Sequence, residues 1–116
     1  MNNTFERFES PLTEEKLVET LDALEPGSPE ARELIGRYAD QCHEEADREA
    51  AADPENPQAS NRANIKAEMK IGLACLKSSR YAESARDSLW QTLEMAIQDE
   101  NTADLALEIR KVLGDI

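Results

Sequence analysis

Four carboxylates in two pairs, Glu30-x-x-Glu33 and Glu44-x-x-Asp47, are the side chains whose type and spacing best suit chemistry. Carboxylates three apart are neighbours on a helix, and several converging oxygens are what a Mg²⁺ ion takes. On one continuous helix, however, Glu30 and Glu44 lie roughly 21 Å apart at 1.5 Å per residue. They share a cation only if the helix breaks near Gly36. Glu83 and Asp87 are further carboxylates able to join such a set. Cys42, His43 and Cys75 are the remaining candidates. Zinc would need a further ligand, and adjacent Cys42 and His43 point about 100° apart on a helix. That divergence also denies Cys42 the use of His43 as its base, leaving Cys75 with His43 as the sterically open pair. Buried inert thiols and a solvated histidine are the expectation. The chain contains no CxxC, Gly-rich phosphate loop, GxSxG or HExxH, so no catalytic residue, metal or cofactor is assigned.

The paired carboxylates resemble the ExxE…ExxD pattern of all-α nucleoside triphosphate pyrophosphatases of the MazG type. That resemblance implies Mg²⁺ held by Glu30, Glu33, Glu44 and Asp47. In that family the pairs lie on different helices, whereas here Leu34 to His43 separates them without a turn signal. Further along, Ile71-Gly72, Ala74 and Tyr81 are similar to one tetratricopeptide hairpin. Cys75, Ser79 and Ser84 depart from its usual aromatic, glycine and alanine. Ala31-x-x-x-Ile35-Gly36 and Ala67-x-x-x-Ile71-Gly72 recur 36 residues apart, near a helical-repeat length. This second resemblance implies hairpin packing of two helices, with no binding residues carried over.

The elements that must position these groups are helices. Thr13 is an N-cap before Glu14 and Glu15, with Leu12 and Leu17 as a hydrophobic staple. Leu17, Val18, Leu21 and Leu24 give the first helix one apolar face, to about Leu24, before Pro26-Gly27. Ser28-Pro29 starts a second helix running to about Ala52, with Ala31, Leu34, Ile35, Tyr38, Cys42 and Ala46 on its inner face. Its last turns, Glu44 to Ala52, carry little apolar bulk and are expected to project from the body. The segment 53–57 is a Pro-rich turn. A third helix, about Gln58 to Ser78, is apolar on two sides: Ile65, Met69, Gly72, Leu73 and Leu76 on one, Ala67, Ile71, Ala74 and Cys75 on the other. Such a helix packs between neighbours, so it is expected to be central. A fourth helix, about Tyr81 to Asp99, has Ala85, Leu89, Leu93, Ala96 and Ile97 on its core face. Asn101-Thr102 caps a fifth helix carrying Leu105, Ala106, Ile109, Val112 and Leu113. No stretch alternates with period two. The expected fold is an all-α, single-domain bundle of five mostly antiparallel helices over 1–116, with 1–11 as an N-terminal arm.

The 116 residues carry 13 Lys and Arg against 25 Asp and Glu, a formal charge of -12. Residues 1–60 hold 16 acids and 5 bases, while residues 61–116 hold 9 acids and 8 bases. Acidity therefore belongs to the first half. Arg62, Lys66, Lys70 and Lys77 make a basic stripe on the third helix, without the aromatic interleaving a nucleic-acid surface uses. Low pI disfavours phosphate backbones and anionic membranes as partners. The longest apolar run falls short of the roughly 18 residues a span needs. The polar start with Phe5 and Phe8 is not a secretory signal, and two cysteines make no disulfide framework. A reducing cytoplasm is the expected compartment.

The charge admits two readings: carboxylates and cations screen each other across a helix pair, or Glu33, Asp40, Glu44 and Asp47 present an acidic face to a basic partner. Trp90 lies at the edge of the fourth helix while Met95 and Leu107 point away from the core stripes, all three either covered by a fifth helix or the N-terminal arm, or forming a protein or dimer contact. The function expected is a non-catalytic acidic interaction module: an adaptor, chaperone or immunity-like binder of a basic partner, or a homodimer. No small-molecule ligand is inferred. The alternatives are the Mg²⁺-dependent pyrophosphatase and an acidic mimic of DNA.

Overall fold

Free backbone N–H groups at a helix start need acceptors, and the sequence supplies them at two of the helix starts. In a computed structural model, which describes residues 11–114, Thr13 accepts from the Lys16 amide and opens helix α1, Glu14–Leu21. Ser28 accepts from the Ala31 amide and Pro29 fixes the first turn of α2, Pro29–Ala51. Helix α3 spans Ala59–Leu76 and α4 spans Ala82–Ala96. A 3₁₀ turn, Glu100–Thr102, leads into α5, Ala103–Leu113, which ends on Gly114 at φ 76°. The left-handed conformation there is one that glycine adopts without a Cβ penalty.

Helix α1 stops three residues before the expected Leu24. Ala23 and Leu24 donate to Thr20 and Leu21, tightening the last turn, and the Leu24 carbonyl is taken by the Tyr81 hydroxyl at 3.2 Å. Thr102 does not cap α5 with its side chain. Its buried hydroxyl donates back to the Ala96 carbonyl at 2.7 Å, closing the end of α4 instead. The N-terminal arm, with Phe5 and Phe8, lies outside the described residues except for Pro11.

Helix α3 is the centre of the bundle. On one side Ala63, Ala67, Ala74 and Cys75 join Leu17, Leu21, Ala31, Tyr38, Cys42 and Ala46. On the other, Ile65 and Met69 join Leu89, Leu93, Ala96, Leu105, Ile109 and Leu113. The two apolar faces read from the sequence are thus two separate halves of the core. Ion pairs joining Glu45 to Lys70 and Glu49 to Lys66 run in opposite sequence order, so α2 and α3 are antiparallel. Gly72 sits against Leu89 while Asn64 and Met95 border one groove, so α3 and α4 are antiparallel too. A Cβ on Gly72 would lie 2.7–2.8 Å from Leu89 carbons, so the small residue of the hairpin resemblance does permit close helix approach.

The last turns of α2 do not project. Ala46 is buried, Ala50 packs on the core, and Glu45 and Glu49 reach across to α3. Alanine's lack of bulk brings the helices together rather than freeing one of them. Ile97 and Val112, assigned to core faces, are 59% and 41% exposed. Ile97 lies past the last turn of α4 as its C-cap, and Val112 lies at the edge of the α5 apolar face by helical angle, beside the buried Leu113.

Candidate functional site

Helix α2 runs unbroken through Gly36, which separates its carboxylates into two sets by angle rather than by a turn. Glu45 and Glu49 flank the seam with α3. Glu45 binds Lys70 at 2.7 Å and Glu49 binds Lys66 at 3.1 Å. The Lys70 hydrogen bond holds the Glu45 carboxyl below its ordinary value, and Glu45 in turn raises Lys70. Each of these side chains is about half exposed, so such a pair contributes only about 0–1 kcal/mol.

Glu33, Asp40, Glu44 and Asp47 form the other set. All four are exposed on the outward side of α2, and none makes an ion pair within 4.0 Å among the described residues. Arg37 and Arg48 are exposed and, by helical angle, share that side. Their spacing from Glu33 and Glu44 is the helical i, i+4 arrangement, a signal already present in the sequence.

The basic stripe is consumed within the fold. Arg62 grips Asp104 of α5 with two hydrogen bonds of 2.7 Å and also donates to the Asn101 carbonyl. That hydrogen-bonded guanidinium lowers the Asp104 carboxyl to about 2. Lys66 and Lys70 pair with α2, and Lys77 meets Glu14 of α1 at 3.0 Å. Four cations read as one stripe therefore serve three different helices.

The set Glu30, Glu33, Glu44 and Asp47 is not brought together. With α2 continuous, its two pairs stay roughly 21 Å apart. Glu83 and Asp87 stand exposed on α4. Among the described residues no group of three or more His, Cys, Asp or Glu side chains is placed to hold a metal ion. Cys42 and Cys75 are buried, and burial pushes both thiols up, away from the thiolate. His43 is not simply solvated: its Nε2 lies 2.7 Å from Glu68 Oε2, a third polar tie between α2 and α3. A spacing across two helices carries no local sequence signal, so this pair was unreadable from the chain.

Trp90, Met95 and Leu107 are 40–47% exposed but do not form one patch. Five residues apart on α4, Trp90 and Met95 point about 140° away from each other. Met95 borders a groove with Asn64, Glu68 and Gln91, away from the side Trp90 occupies. Among the described residues no helix is long and apolar enough to cross a membrane. No family model, curated protein or solved structure matches this chain.

Proposed function

We propose that this chain is a non-catalytic helical interaction module whose outward α2 face receives a basic protein partner. The observation that carries the reading is the division of α2's charge. Glu45 and Glu49 are spent on Lys70 and Lys66, while Glu33, Asp40, Glu44 and Asp47 stay exposed without an ion pair among the described residues. The cations of α3 are already paired, so none of them is left for Glu33, Asp40, Glu44 and Asp47. A face of this kind speeds encounter with an oppositely charged surface and rejects like-charged ones, more than it adds affinity. Arg37 and Arg48, interleaved on the same side, restrict the match to partners with a carboxylate or a gap opposite them. An adaptor, a chaperone and an immunity-like protein would all use such a surface.

Affinity capture from the source cell identifies the partner, and light scattering on the purified chain separates it from self-association. The test is then reversal of Asp40, Glu44 and Asp47 to lysine. All three are exposed and, among the described residues, make no ion pair, so the helical circular dichroism should persist while capture is lost. Wild-type capture should weaken with salt, because the Debye length shrinks from about 8 Å at 0.15 M to about 3 Å at 1 M. A folded triple variant that still captures the partner would reduce this face to solvated surface.

A further inference from the structure

Among the described residues, helix α1 is the shortest of the five α-helices, eight residues, well below the length at which an isolated helix holds itself in water. What keeps it helical is its seat against α2 and α3. Leu17 and Leu21 are fully buried in the core half that also contains Tyr38, Cys42, Ala74 and Cys75. Beside those two leucines, Leu12 and Leu24 pack partly buried against the same core half, and polar ties surround them. The Gln41 carboxamide clamps the Leu12 backbone, accepting from its N–H at 2.8 Å and donating to its carbonyl at 2.9 Å. Glu14 meets Lys77, Asp22 accepts from the Ser78 hydroxyl at 2.6 Å, and Glu25 meets Arg80. The connector to α2 turns at Pro26-Gly27, with Gly27 at φ 83° and open space where a Cβ would stand.

The geometry points to α1 as an opening strap that occupies a helix-binding groove on α2 and α3, a groove that takes a partner's acidic amphipathic helix when the strap lifts. The strap itself shows what fits. Two apolar residues four apart fill the seam, and carboxylates before and after them meet Lys77, Ser78 and Arg80. Lifting α1 breaks contacts at its own surface alone, while the second core half, between α3, α4 and α5, keeps every one of its residues. The melted strap regains backbone freedom, which favours opening. This surface is distinct from the outward face of α2, so the two readings fail separately.

Two measurements test it. In the unmodified chain, native-state hydrogen exchange should show α1 amides opening before those of α3, with a denaturant dependence smaller than that of global unfolding, and Cys42 should react with a thiol reagent through that same opening. Leu21→Ala should raise the Cys42 labelling rate roughly thirtyfold or more, since a buried leucine truncation weakens the seat by at least that factor. In the second measurement the full chain with Leu17→Asp and Leu21→Asp is titrated with a fluorescent peptide of residues 11–25. The folded variant should bind that peptide and not a peptide carrying the same two changes, while the wild-type chain, its groove occupied by the tethered strap, binds the unmodified peptide far more weakly. If α1 amides, α3 amides and Cys42 all open together at the cost of global unfolding, there is no strap. A folded double variant that ignores the peptide would overturn the groove. A wild-type chain that dimerises by exchanging α1 would overturn the partner helix in favour of a second copy.

Discussion

The two flanks of α3 are made of different material. Towards α1 and α2 it presents Ala63, Ala67, Ala74 and Cys75, met by Ala31, Tyr38, Cys42 and Ala46 of α2 and by Leu17 and Leu21 of α1. Towards α4 and α5 it presents Ile65 and Met69, met by Leu89, Leu93, Leu105, Ile109 and Leu113. Small side chains release less free energy on burial, at about 25 cal/mol per Å², but they let two helices approach closely. Close approach brings long side chains at the edges within reach of each other. The small flank is accordingly laced by Glu45–Lys70, Glu49–Lys66 and His43–Glu68, while the large flank is tied by the Arg62–Asp104 fork. The α3 residues facing α4 and α5 are large and apolar, while those facing α2 are small and edged with charge.

Breaking the large flank should have the greatest effect. Leu89 is fully buried and lies over Gly72, which has no side chain to refill the space. Leu89→Ala should therefore cost about 3–5 kcal/mol in denaturant unfolding. Gly72→Ala forces a methyl into Leu89 and should cost about 1–3 kcal/mol. In the double variant the added methyl occupies part of the cavity, so the two costs should fall well short of additive. Simple additivity would mean that the Gly72–Leu89 contact does not set the α3–α4 distance.

The small flank should fail in the opposite way, by overfilling. Ala67→Leu adds three carbons at a buried position of the α2–α3 seam, and about 1–3 kcal/mol of stability should be lost. The ion pairs along the same seam matter less. A double-mutant cycle of Glu45→Gln with Lys70→Met should give a coupling of about 0–1 kcal/mol, shrinking in 1 M salt. A coupling several times larger would shift weight from the alanine seam to its charged edges.

Much of this contrast was legible in the chain, because periodicity places side chains by angle. Two apolar stripes on α3 predicted a central helix, and caps at Thr13 and Ser28 predicted two of the helix starts. What periodicity does not contain is distance between helices. Alanines at the end of α2 read as absence of core, whereas they are the means of close packing. His43 finding Glu68, and Arg62 finding Asp104 42 residues away, depend on tertiary geometry with no local signature. The carboxylates of α2 were correctly placed on the helix, but which of them would be neutralised followed only from where the lysines of α3 arrive.

The gentlest test of the contrast is by pH, at the large flank's polar tie. Asp104 titrates at about 2 in the folded chain because the Arg62 guanidinium holds its carboxylate, against an ordinary value of 3.8. A depressed folded value means that the unfolded chain binds the proton first as pH falls. The stability Asp104 contributes is therefore complete above about 4 and is lost as pH falls towards about 2. The side chain is 62% exposed, so solvent screens the pair and the effect is small. Denaturation midpoints of the wild-type chain and Asp104→Asn should differ at pH 5 and converge by about pH 2. Glu45→Gln should show a similar convergence, since its carboxyl is lowered by Lys70. If Asp104→Asn keeps a constant offset across that range, the fork contributes through its hydrogen bonds to the α3–α5 junction and not through the carboxylate's charge, and the large flank is held together without electrostatics.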